Sequence, residues 1–130
     1  MYDGSSLDQY CSELQQDLER LVFHVEQANP LDVFTFKEIR ERATSLARRL
    51  DDFRQKIAIE STNSDKADYV FAAQRLQFLV EPVKLLKGAI ESRDLLGTGL
   101  AYLGVFSPLT TLITVSDKIE DLADKLGESS

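Results

Sequence analysis

Leu7, Cys11, Leu14, Leu18, Leu21, Val25 and Ala28 follow one another at intervals of 4-3-4-3-4-3. That spacing draws one apolar stripe along a helix, a heptad seam that must be covered by another helix or by another chain. The pattern returns as 3-4-3-4-3-4 through Phe36, Ile39, Ala43, Leu46, Leu50, Phe53 and Ile57. Two such seams constrain the chain more than any other feature, because a helix with one apolar side is stable only when packed.

Local signals set the expected boundaries. Ser6 with Gln9, and Thr35 with Glu38, have the spacing of capping boxes, and Phe34 stands where a hydrophobic staple onto Ile39 would place it. Asn29 precedes Pro30, which pushes it out of the helical region and closes the first helix. The polar run from Ser61 to Asp65 ends the second. Each of these helices is then about 35 Å long at 1.5 Å per residue, and the short link between them favours antiparallel packing.

A third helix is expected from Asp65 to Leu96. Its main stripe is Ala72, Leu76, Leu79, Val83, Leu86 and Ile90, and a second stripe of Phe71, Phe78 and Leu85 predicts contact with a further neighbour. Pro82 lies inside this pattern, removing a backbone donor and crowding the carbonyl of Phe78, so a kink is expected there. Gly97 is a natural stop. Ser107 then Pro108 reads as an N-cap and first turn, opening a last helix with Leu109, Leu112, Ser116, Ile119, Ala123 and Leu126 on one side.

The expected fold is therefore all-α, one domain over 1–130. It is an antiparallel four-helix bundle with helices near 6–29, 35–61, 65–96 and 107–126, and room for a fifth short helix near 98–106. A chain of 130 residues buries about two-thirds of its unfolded surface, enough for a core without disulfide or metal.

The single cysteine forbids an internal disulfide, and the single histidine, His24, lacks the Glu-x-x-His context of bundle metal sites. Cys11 lies on the apolar stripe, and Asp8 and Glu13 nearby would raise its pKa, so it reads as core. Within one helix Cys11 and His24 are about 20 Å apart and cannot form a dyad. The stretch LGTGLAYLG has neither the Walker spacing and lysine nor G-x-G-x-x-G. Asp51-Asp52 and Glu120-Asp121 are adjacent pairs whose side chains diverge by about 100° on a helix. No catalytic residue, metal ligand or cofactor site is expected, and the chain reads as a non-enzyme.

The net charge is −7, and residues 1–34 hold seven acids against Arg20 alone. The bases of 35–61, Lys37, Arg40, Arg42, Arg48, Arg49, Arg54 and Lys56, alternate with acids. That pattern reads as an ion-paired solvated face and argues against nucleic acid. From Leu95 to Ser116 there is no charge over 22 residues, but three glycines and Pro108 interrupt the run. A buried turn is the leading reading of it. The alternative is a membrane-active segment whose lipid contacts would be Leu100, Leu103, Val105 and Phe106.

A helical bundle with such a Gly-rich apolar segment resembles, in general layout, the N-terminal effector bundles of immune-receptor or cell-death proteins. The likeness is one of composition and transfers no residues. The function expected first is a protein-protein interaction module (adaptor, regulator, inhibitor or assembly domain), with Phe23 and Tyr69 as partner contacts. Heptad seams can also be satisfied between copies, so a homo-oligomer is a further expectation. No charged-then-apolar leader follows Met1, which gives the expectation of a cytoplasmic chain.

Overall fold

The computed structural model describes residues 4–28, 33–63, 66–93 and 106–128. They form four helices, α1 Gly4–Glu26, α2 Val33–Asn63, α3 Lys66–Ser92 and α4 Phe106–Glu128, with no strand among them. The helices pack on one another as a four-helix bundle. The region of the expected fifth helix lies outside the described residues, apart from Phe106 at the start of α4.

Both seams fill the core. Every described member of the first, from Cys11 to Ala28, is buried, as is every member of the second from Phe36 to Ile57. From α3 come Leu76, Leu79, Val83, Leu86 and Ile90, and from α4 Leu109, Leu112, Ile119, Ala123 and Leu126, all in one contiguous cluster. Ser116 is the polar member of the α4 stripe, fully buried with no hydrogen-bond partner for its Oγ.

Consecutive helices alternate in direction, yet the most extensive packing joins parallel ones. Arg75 Nε donates to Asp8 Oδ1 at 2.9 Å near the start of α1 and α3, and the Arg93 guanidinium donates to the Ala28 carbonyl at their far ends. These two contacts make α1 and α3 parallel. Similarly, Ser107 and Pro108 of α4 lie beside Thr44 and Arg48 of α2, while Lys118 acts on Asp51 further along. The α1–α2 pair is antiparallel, tied by Arg49 to Asp17 at 2.6 Å and by His24 to Glu38 at 3.6 Å. Among the described residues α1 and α4 do not touch, and α2 and α3 meet least, across the short diagonal.

Several boundary expectations are corrected. The first helix begins at Gly4, two residues before Ser6, and α2 begins at Val33, so Ser6 and Thr35 sit inside first turns rather than at caps. Phe34 is 82% exposed, too open to serve as a staple over the fully buried Ile39. α1 ends at Glu26 and α3 at Ser92, earlier than the expected 29 and 96, while α4 runs through Gly127. The helical run of α3 continues across the buried Pro82. Of the second stripe of α3, Phe78 is 61% and Leu85 53% exposed, and the side chain of Phe71 lies outside the described residues. Contact of α3 with several neighbours comes instead from the breadth of its main stripe and from Lys87 reaching α4.

Candidate interaction surface

The seam between α1 and α3 is closed underneath by Cys11, Leu14, Leu76 and Leu79 and open to solvent above. At one end a cleft of about 420 Å³ is lined by Cys11, Ser12 and Gln15 from α1 and Gln74, Arg75 and Phe78 from α3. Asp8 closes that end through its bond to Arg75.

The parallel pairing keeps α1 and α3 side by side beyond this cleft. Asp8 and Cys11 face Arg75 and Ala28 faces Arg93, so a residue of α1 lies level with the α3 residue roughly 65 positions later. Phe23 is thereby level with the stretch just after Leu85. Phe23 stands 11 residues from Ser12, about three helical turns, and so shares its side of α1. Phe78 and Leu85, seven residues apart, share a side of α3 with about 10 Å between them along the axis. Phe23 is 60% exposed and its ring sits edge-on to His24 at 6.2 Å. Phe78 borders the α1–α3 cleft, whereas Phe23 borders an open depression of α1 with Gln16, Glu19, Arg20 and His24.

Acids interleave with them. Glu19 and Glu26 flank Phe23 at four residues before and three after, and Glu81 lies three after Phe78 and four before Leu85. On a helix those offsets are same-side neighbours. Glu19, Glu26 and Glu81 are exposed and form no ion pair among the described residues. By the same offsets Arg20, three before Phe23, and Lys84, three after Glu81, are same-side neighbours, so the acids alternate with bases; Lys87 bonds Asp117 of α4 at 2.5 Å.

Cys11 is a core residue, 4% exposed, and its thiol donates to the Arg75 carbonyl at 3.2 Å. Burial pushes its pKa up to about 11; the Arg75 charge opposes this and Asp8 adds to it. Burial outweighs the carboxylates that sequence neighbours suggested, and at neutral pH the group is an inert thiol. His24 is half-buried at the α1–α2 boundary, 3.6 Å from Glu38. No group of three or more metal-ligating side chains occurs among the described residues.

Four of the seven bases of the basic stretch of α2 are ion-paired, Arg42 to Glu38, Arg54 to Asp51, Lys56 to Asp52 and Arg49 to Asp17 of the acidic first helix. Arg40 and Arg48 border a mixed cleft of about 550 Å³ that also holds Glu41 and Pro108. No helix among the described residues is long and apolar enough to cross a membrane.

Of the expected partner contacts, Phe23 is exposed on the outer side of α1, whereas the side chain of Tyr69 lies outside the described residues. So do Leu100, Leu103 and Val105 and the side chain of Phe106. Sequence reading missed Phe78 and Leu85 as surface residues, although they had been placed on a second stripe. Searches among family models, curated proteins and solved structures find no match.

Proposed function

We propose that this chain is a non-enzymatic helical interaction module, an adaptor, regulator, inhibitor or assembly domain, that engages a protein through its α1–α3 groove. One observation carries the reading: Phe23 of α1 and Phe78 and Leu85 of α3, two helices packed side by side, are large apolar side chains open to solvent, and Phe78 borders the cleft between them. Isolated exposed aromatics are ordinary, but large apolar side chains grouped on a surface with polar neighbours are what partner-binding sites require. The seams support it from the other side. They are filled within one chain, so the bundle is a rigid frame that presents the groove.

Affinity capture with the wild type and with a Phe78→Asp/Leu85→Asp variant tests this. A stoichiometric protein should be retained by the wild type and lost from the variant, with melting unchanged because both positions are exposed. Equal capture by the two, or substrate turnover abolished by Cys11→Ala or His24→Ala, overturns it.

A further inference from the structure

We propose that α4 is the releasable helix of the bundle, opening from α2 and α3 as a unit while α1, α2 and α3 stay packed. Among the described residues α4 touches α2 and α3 and not α1, so its departure breaks no contact of α1. By packing alone α1 could leave in the same way, since it too touches only α2 and α3. Polar contacts separate the two helices. α1 is tied to its neighbours from one end to the other. Asp8 accepts from Arg75, the Cys11 thiol donates to the Arg75 carbonyl, and the Tyr10 hydroxyl donates to the Arg49 carbonyl. Asp17 accepts from Arg49, and just past the helix end the Ala28 carbonyl accepts from Arg93. Between Ser107 and Asp124, by contrast, the hydrogen bonding of α4 to another helix rests on Asp117 and Lys87. From Phe106 to Ser116 the helix has no charged residue, so its first half offers no side chain for an ion pair.

The buried side of α4 also works against closure. Ser116 is fully buried on the same stripe as Leu112 and Ile119, and its Oγ has no hydrogen-bond partner. One turn later Glu120 encloses its Oε1 without a hydrogen bond, 3.6 Å from Lys87 Nζ. The other enclosed side-chain atom of this kind among the described residues, Arg49 Nε, belongs to a guanidinium that already bonds Asp17. A buried hydroxyl without a partner has given up its water for nothing, and opening the helix returns that cost. A helix held in this way opens locally, below the free energy of global unfolding. Opening uncovers Leu109, Leu112, Ile119 and Ala123 and the α2 and α3 residues beneath them, an apolar surface present only in the open form.

Native-state amide hydrogen exchange of the whole chain, at urea concentrations below the unfolding transition, tests this. Amides within 109–124 should exchange about tenfold or more faster than the slowest amides of α1, α2 and α3, with a weaker dependence on urea. Ser116→Ala should slow the α4 amides about tenfold, well beyond the effect of Thr114→Ala, an exposed change on the same helix with a comparable gain in helix propensity. Tyr10→Phe, which removes a tie of α1, should speed the slowest α1 amides a few-fold and leave the α4 amides unchanged. Exchange of α4 at the rate and urea dependence of the slowest α1 amides overturns the proposal, as does opening of α1 before α4. Equal slowing by Ser116→Ala and Thr114→Ala, or equal acceleration of α1 and α4 by Tyr10→Phe, overturns it as well.

Discussion

Leu18 and Leu50 are fully enclosed, each from a different seam, and truncating either leaves a hole that close-packed neighbours refill only in part. Leu18→Ala or Leu50→Ala is expected to cost about 2–5 kcal/mol of unfolding free energy, measured by denaturant titration. A midpoint unchanged in either variant would show that the residue does not pack against the core. Cys11 makes a prediction with a sign. Its thiol titrates near 11 when folded, above the ordinary value of 9.0, so the unfolded chain loses this proton first as pH rises. The contribution is fully present below pH 9 and is lost through the interval up to about 11. The stability difference between wild type and Cys11→Ala should therefore shift against the wild type across that interval, by at most about 1.4 kcal/mol per pH unit. A flat difference from pH 8 to 11 would contradict the burial of the thiol.

At the scale of the element, the links between helices are few and specific. Lys87 of α3 bonds Asp117 of α4, with Glu120 3.6 Å away, and this hydrogen bond is the main cause that raises the pKa of Lys87. The pair is intact at neutral pH, and its contribution is lost only as pH rises through that elevated value. It sits at the surface, so Lys87→Met is expected to cost about 0.2–1 kcal/mol at low salt and less in high salt, read from denaturant midpoints. A loss as large as that of Leu18→Ala would mean that the pair is a core contact. The elements also show what could be read from sequence. The four buried stripes were legible because burial on a helix follows the 3-4 spacing. The helix ends were less so, since Ser6 and Thr35 have capping chemistry but lie within first turns. Phe78 and Leu85 were misread as packed, because apolar character states what a residue prefers and says nothing of whether a neighbour stands opposite it.

For the whole molecule, the parallel pairing of α1 with α3 and of α2 with α4 had no signal in the chain. Short links favour antiparallel neighbours, and the two-residue gap between α2 and α3 instead joins helices that meet least. That arrangement is what sets α1 beside α3 and opens the cleft that Phe78 borders, so the candidate surface became visible only with the fold. The filled seams also bear on assembly. Light scattering over a concentration series should give a constant mass near 14.6 kDa, and a rise with concentration would show that an apolar surface is shared between copies.

The proposal that the molecule engages its partner through its α1–α3 side is tested by amide hydrogen exchange on the chain free and saturated with the protein captured by the wild type but not by Phe78→Asp/Leu85→Asp. Protection should grow within 12–26 and 74–88 and remain unchanged across the outer sides of α2 and α4. Protection centred on α2 and α4, with the α1–α3 groove exchanging as in the free chain, would contradict the account.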